Sequence, residues 1–150
     1  MVNVKIKRTS ATAKLPTKAH VTDAAFDLYA DCLCEGEDKI LIAPGETVLV
    51  SSGISTDIPE GYWGAIFARS GLATKEGLRP ANCVPVIDRS YRGCWKVPLH
   101  NDSDVPRTVN HGDRIAQFML LPTFETNLIE VDNLEDSDRG ETGFGDSGKQ

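Results

Sequence analysis

In Ala68-Arg69-Ser70-Gly71-Leu72 a guanidinium, a hydroxyl and an unhindered backbone N–H fall on three consecutive residues. All three are donors to phosphate oxygens. The same string also reads as the start of a helical turn, with the Ser70 hydroxyl as its N-terminal cap and Arg69 as a surface side chain. Further on, Gly112-Asp113-Arg114-Ile115-Ala116-Gln117 runs from a turn into an apolar stretch, with Asp113 and Arg114 placed to pair and Gln117 offering an amide. Val86-Ile87-Asp88 ends an apolar run on a carboxylate, and Tyr91-Arg92-Gly93 then turns the chain back toward Trp95 and Val97. A free carboxylate with a pKa of about 4 is ionised at neutral pH. At a hairpin tip it is either simply solvated or a base that takes a proton from water.

Such groups need rigid elements to hold them. Apolar residues alternate with period two at Val2-Val4-Ile6 and Ile54-Thr56-Ile58, and shorter apolar runs occur at Ile40-Ile42, Thr47-Val50, Tyr62-Phe67, Ala116-Leu121 and Leu128-Val131. These are predicted strands. Breakers separate them at Pro44-Gly45, Pro59-Glu60-Gly61, Arg92-Gly93, Asn110-His111-Gly112 and Pro122. Short strands spaced by turns in this way predict an all-β fold, a distorted β-barrel or jelly-roll. The only helical stretch predicted is Leu72 to Glu76, of one or two turns. From Asp138 to Gln150 the chain has four glycines and, apart from Phe144, almost no apolar content, which predicts a mobile Gly-rich arm. The expected organisation is one domain over residues 1–150, with a β core over about 1–136 and the arm over about 137–150.

The chain of 150 residues carries a formal charge of -6 with 40% hydrophobic residues, the profile of a globular domain large enough to bury a core without disulfides. The first twenty residues hold five Lys or Arg and no acid, and residues 130 to 150 hold seven Asp or Glu against Arg139 and Lys149. The basic start reads as the solvated face of a strand, and the net negative charge opposes nucleic-acid binding. No apolar run approaches the ~20 residues that span a bilayer, and the N-terminal residues lack a signal-peptide core, so the expectation is an intracellular protein, cytoplasmic or nuclear, off the membrane. Cys32, Cys34, Cys83 and Cys94 form no C-x-x-C pair and are expected as reduced thiols.

The order of the strings carries more information than any one of them. Ala24-Ala25-Phe26-Asp27-Leu28-Tyr29-Ala30 precedes Arg69-Ser70-Gly71-Leu72-Ala73. Then come Val86-Ile87-Asp88 with Tyr91-Arg92-Gly93, Gly112 to Gln117, and finally Arg139-Gly140, Gly143-Phe144-Gly145 and Ser147-Gly148. This ordered set resembles the five motifs of the trimeric dUTP pyrophosphatases (dUTPases), from about residue 24 to 148. The resemblance implies magnesium-dependent hydrolysis of dUTP to dUMP and pyrophosphate, which keeps uracil out of DNA and supplies dUMP for thymidylate synthesis. It also implies a homotrimer whose active sites are shared between subunits.

Carried over position by position, Asp88 becomes the general base for in-line attack of water on the α-phosphorus. Arg69, Ser70, the Gly71 N–H and Gln117 become triphosphate ligands. Asn82, Val86, Ile87 and Lys96 belong to a β-hairpin, Asn82 to about Val97, that reads the uracil edge, and Tyr91 lies against the deoxyribose. Arg139, Phe144 and Gly145 belong to the closing arm, with Phe144 stacked on the base and Arg139 on the terminal phosphate. Mg²⁺ is held mainly by the substrate phosphates, with Asp27 touching it only through water. Little covalent chemistry falls to the protein, because alignment and charge neutralisation carry phosphoryl transfer. A hairpin edge presents fixed N–H and C=O groups, and cytosine inverts two of the three groups on the uracil edge, so its mismatched polar groups would stay unpaired.

The chain departs from the family pattern at Ala25, Ala68, Pro85 and Asp146, and Pro85 removes a backbone donor beside the base site. Two other readings remain. The related dCTP deaminases use a glutamate after the hairpin, but Gly93 to Asn101 contains no acid and Pro98 stands about where it would fall. A dUTP-binding regulatory module with weak or no hydrolysis, acting through a protein partner, is the alternative to an enzyme.

Overall fold

The computed structural model describes residues 1–138, 140 and 141. In it the apolar runs become β1 (Lys5–Arg8), β2 (Phe26–Tyr29), β3 (Lys39–Ile42), β4 (Thr47–Ser51), β5 (Ile54–Asp57) and β6 (Tyr62–Phe67). They continue as β7 (Leu78–Pro80), β8 (Val86–Ile87), β9 (Lys96–Asn101), β10 (Arg107–Asn110) and β11 (Arg114–Pro122). All pairings between these strands are antiparallel. The sheets are β1-β5, β10-β3, β4-β9-β7 and β2-β11-β6-β8. The all-β class is the expected one, although the four ladders do not join into one closed barrel among the described residues. No helix of the described residues is long and apolar enough to cross a membrane.

Period-two patterning decides which side chains enter the core. Along β9, Val97, Leu99 and Asn101 point inward between more exposed neighbours. Asn101 is buried but satisfied: its amide N–H groups reach Ile42 O at 3.0 Å and Val105 O at 2.8 Å, and its Oδ1 accepts from Ser103 N at 3.0 Å. Trp95 is fully buried and meets the Phe118 ring edge-on at 4.9 Å between centroids. Its backbone is fastened to the bend between β4 and β5, since its O accepts from Ser52 N at 2.9 Å and its N donates to Ile54 O at 2.8 Å.

Asp31, almost fully buried, gathers three distant segments. Its carboxylate accepts from the Ser10 hydroxyl and from Thr12 Oγ1 at 2.6 Å, and His111 Nδ1 stands 3.5 Å away. The adjoining Ala30 exchanges backbone hydrogen bonds with the turn before β11, donating to Asp113 O and accepting from Gly112 N, both at 2.8 Å. The N-terminal segment and the start of β11 are thereby held to the end of β2.

Four expectations are corrected. The N-terminal ladder begins at Lys5, later than Val2, because β5 offers partners only from Asp57 back to Ile54; Val2, Val4 and Ile6 instead line an apolar cavity of about 290 Å³. Leu128 to Val131 forms no strand and is exposed, since among the described residues no strand pairs with it to complete a ladder. The Ser70 hydroxyl caps nothing. Leu72–Glu76 is a single π-helical turn entered through Gly71, whose φ of -63° and ψ of -41° are already helical. The hairpin from Asn82 to Val97 is a ladder only at its mouth: it closes the antiparallel β7–β9 pair, with Ala81 N donating to Pro98 O at 2.7 Å, while β8 within it pairs with β6 of another sheet.

All four cysteines are free thiols. Burial, reinforced by the nearby Asp113 and Asp31 carboxylates, pushes the Cys32 thiol up to about 11. The thiolate is the reactive form, so at neutral pH Cys32 is expected to resist alkylation while the exposed Cys83 is labelled first. Peptide mapping after brief iodoacetamide treatment checks that order.

Candidate active site

β11 is central in its sheet, with Asp27 of β2 opposite Gln117 on one side and Phe67 of β6 opposite it on the other. The register alone therefore brings a carboxylate and an amide into one row. Gln117 Nε2 donates to Ala68 O at 2.7 Å, which leaves its second N–H and its carbonyl for other partners. Asp27, Gln117, Phe67, Ala25 and Met119 line a cavity of about 350 Å³.

The chain leaving β6 carries Arg69 back over this row. Its Nε donates to Asp27 Oδ1 at 2.9 Å, and its Nη1 to Arg114 O at 3.3 Å. Arg114 Nη1 donates to the other oxygen, Asp27 Oδ2, at 3.2 Å. Arg114 was expected to pair with its neighbour Asp113. Asp113 instead caps the preceding turn, accepting from Asn110 N at 2.8 Å and from Asn110 Nδ2 at 3.1 Å. Arg69 and Arg114 line a second cavity of about 260 Å³. Ser70 and Gly71 are exposed, and a Cβ built on Gly71 meets nothing within 4 Å, so the turn's entrance is open.

The other expected residues run from the loop after β7, through β8, to the first residue of β9. Val86 is exposed and Ile87 buried on the short β8. Asp88 is exposed, and its carbonyl accepts from Tyr91 N at 3.0 Å in a tight turn. Arg92 ties this turn to the body through Asp57 Oδ1 at 2.5 Å. The Tyr91 hydroxyl donates to Cys94 O at 3.1 Å, and the ring lies so close over Gly93 that a Cβ there would stand 2.6 Å from Tyr91 Cζ. Gly93→Ala is therefore expected to push the ring off its seat. Near-UV circular dichroism of the variant beside the unchanged chain checks that displacement.

Asn82 is exposed, and its carbonyl accepts from Val84 N at 2.6 Å across Cys83, which has a φ of +56°. Pro85 costs the ladder no donor: its carbonyl accepts from Ile66 N at 3.0 Å, and pairing with β6 begins at Val86. Lys96 Nζ reaches Glu35 Oε1 at 3.0 Å, and that hydrogen bond raises the lysine pKa above its ordinary value. Arg139, Phe144 and Gly145 lie outside the described residues.

The expected residues thus form two groups in one chain. The first comprises Asp27, Arg69, Ser70, Gly71 and Gln117; the second comprises Asn82, Val86, Ile87, Asp88, Tyr91 and Lys96. Continuing the register, Asp88 falls in the row of Trp63 and Leu121, four residues along and two strands across from Gln117. At ~3.3 Å per residue and ~4.8 Å per strand, the separation is about 16 Å. Sequence reasoning missed the link from Arg114 to Asp27, for which the period of β2 and β11 held no signal until their register was known.

Fold and site together define an all-β protein of the jelly-roll type with a carboxylate-bridged arginine pair beside a polar cavity. Residues 11–148 match the dUTPase family, and the chain belongs to that family. It is 42% identical over 148 residues to the deoxyuridine 5'-triphosphate nucleotidohydrolase of Thermobifida fusca, covering 98% of this chain and 79% of that protein. Against the protein of the same description from Gloeobacter violaceus it is 41% identical, covering 98% and 97%. Among solved structures, the Staphylococcus bacteriophage 80alpha dUTPase with dUPNHPP superposes with a TM-score of 0.87 at 27% identity, over 99% of each chain.

Proposed function

We propose that this chain hydrolyses dUTP to dUMP and pyrophosphate as a dUTP diphosphatase. The observation that carries the reading is the row Asp27–Gln117 with Arg69 folded back over it, the convergent donor set a triphosphate needs, in a chain of this family. Arg69, Ser70, the Gly71 N–H and Gln117 bind and align the triphosphate. Asp88 orients the water and takes its proton as the oxygen attacks the α-phosphorus and pyrophosphate leaves. Asn82, Val86, Ile87 and Lys96 read the base, and Tyr91 packs on the sugar. Residues 137–150 serve as the closing arm of a single domain, with Phe144 on the base and Arg139 and Gly145 at the phosphates.

Magnesium is part of this proposal. Among the described residues no group of three or more His, Cys, Asp or Glu could hold a metal ion. Mg²⁺ keeps several waters and binds through substrate phosphates, so that donor set fits an ion brought in by the nucleotide. Asp27 uses two of its roughly four lone-pair sites on arginines, which leaves capacity for metal-bound water at the cavity wall. When bound, the ion neutralises phosphate charge.

A homotrimer with shared sites is the matching assembly. A backbone spacing of about 16 Å between Asp88 and Gln117 supports a site to which a second copy contributes. Phe124 at 82%, Leu128 at 91% and Leu134 at 87% exposure form an apolar segment that a lone chain leaves in water. The phage 80alpha dUTPases are described as controlling transfer of virulence genes by a proto-oncogenic G protein-like mechanism, which favours a dUTP-responsive partner-binding role as the second reading.

Pyrophosphate release with magnesium from dUTP, UTP, dTTP and dCTP tests the proposal. Turnover of dUTP alone, by a species of three times 16.3 kDa, is expected. Binding of dUTP without release favours the second reading, and equal turnover of dCTP or a monomeric active species overturns the first.

A further inference from the structure

Two of the free thiols flank a buried serine. Cys34 belongs to the single helical turn Cys32–Glu35, and Cys94 stands two residues ahead of β9. Ser51, at the end of β4, has its hydroxyl 3.4 Å from Cys94 Sγ, and its carbonyl accepts from Asp31 N at 2.7 Å. The Asp31 carbonyl in turn accepts from Cys34 Sγ at 2.9 Å, which keeps that thiol beside the end of β4. Lys96 is opposite Ser51 in the β4–β9 ladder, and its Nζ reaches Glu35 Oε1 at 3.0 Å. One ladder rung and one ion pair thus clamp the helical turn against the strand into which Cys94 leads. Burial raises the Cys34 thiol above its ordinary value; the Ser51 hydroxyl opposes that rise and Cys94 adds to it, so both act on the Cys34 sulfur. The third thiol of this region is turned away, since Cys32 is buried and its Sγ faces Val109 O on β10 at 3.8 Å.

We propose that Cys34 and Cys94 form a reversible thiol–disulfide site, oxidised by a low-molecular-weight disulfide such as oxidised glutathione, and that the link displaces the Tyr91 turn. The exposed Cys34, as thiolate, attacks one sulfur of the reagent, which expels one glutathione thiolate and leaves a mixed disulfide on Cys34. The half-buried Cys94, as thiolate, then attacks the Cys34 sulfur and expels the second glutathione. Two protein thiols lose two electrons and two protons, and the reagent leaves as two reduced thiols. Both cysteines lie outside strands, on a four-residue turn and a loop, where the backbone can adjust to disulfide geometry. Closing the sulfurs to ~2.05 Å draws Cys94 away from Ser51. The Cys94 carbonyl accepts from the Tyr91 hydroxyl at 3.1 Å, so the shift passes to that ring. This last step rests on reading Tyr91 as a substrate-facing residue.

The full chain, equilibrated with oxidised and reduced glutathione and quenched in acid, is mapped by mass spectrometry without reduction. The expected product is a peptide pair joined from Cys34 to Cys94 that dithiothreitol separates, and Cys94→Ser should stop at the mixed disulfide on Cys34. Absence of the link in the wild-type chain, or a link from Cys34 to Cys32 in its place, would overturn the site. In the linked chain kcat/KM for dUTP is expected to fall about tenfold and to recover with dithiothreitol, the order of loss that a small displacement of a positioning group causes. Cys34→Ser keeps Cys83 and any glutathione on it, and should hold its turnover through the same treatment. An unchanged kcat/KM in the linked chain, or an equal loss in Cys34→Ser, would overturn the coupling to Tyr91. A reduced chain that does not turn over dUTP would overturn the proposed function instead, and the peptide map still decides the thiol pair.

Discussion

Asp88→Asn is expected to lower kcat for dUTP by about 10²–10⁴ while KM changes by no more than a few-fold. Among the described residues Asp88 takes part in no ion pair, whereas Asp57, which Arg92 ties to the same turn, is held by both Arg92 and Lys5. Its carboxylate is exposed on a turn braced by the 3.0 Å bond from Tyr91 N to its own carbonyl, so the backbone stays put when the side chain changes. Asparagine has the same shape and can hold a water, but it cannot accept the water's proton. Ground-state contacts survive and the transition state loses its base. Steady-state kinetics with nucleotide binding measured separately gives the split, and a variant that loses affinity and keeps kcat would place Asp88 in binding.

Gly53→Ala is expected to destabilise the fold by about 3–5 kcal/mol, the range of mutations that break a buried polar network. Gly53 sits at the bend between β4 and β5 with a φ of +65°, where an L side chain is strained whatever the space. There is also no space. A Cβ built at this position falls inside the envelope of Asp31 Oδ2 and 2.6 Å from Ala13 Cβ. Asp31 cannot retreat, because it is buried and held by Ser10 and Thr12. The new methyl must therefore open the knot that ties the N-terminal segment to the end of β2. At roughly 2–4 °C per kcal/mol for a chain of this size, the melting temperature should fall by about 10 °C, measurable by calorimetry. A fall within about 2 °C would show that Asp31 is not a structural hub.

What the sequence made legible followed from local chemistry. Strands such as β4, β6 and β11 carry apolar runs bounded by proline and glycine, so their existence needed no partner to be read. Arg69-Ser70-Gly71 and the carboxylate of Asp88 stood out through the order of the motifs along the chain, since each string alone reads equally as ordinary turn structure. Long-range choices were not legible. Arg114 adjoins Asp113 in sequence but pairs with Asp27, because register across β2 and β11 outweighs adjacency. The stretch after Asn82 has the turn chemistry of a hairpin and closes the β7–β9 ladder, yet β8 inside it finds its partner in β6 of another sheet. Leu128 to Val131 has strand composition without a ladder, which is what a segment made for another copy of the chain would show. Asp31 drew no notice in the sequence, as its partners at Ser10, Thr12 and His111 are scattered along it.

The central claim, that water attacks the α-phosphorus of dUTP and expels pyrophosphate, is tested most directly by turnover in water enriched in the heavy oxygen isotope. Mass spectrometry of the products is expected to find one heavy oxygen in dUMP and none in pyrophosphate. Label in the pyrophosphate would mean attack at the β-phosphorus, and would contradict the assignment of Asp88 as the base for an α-phosphorus displacement.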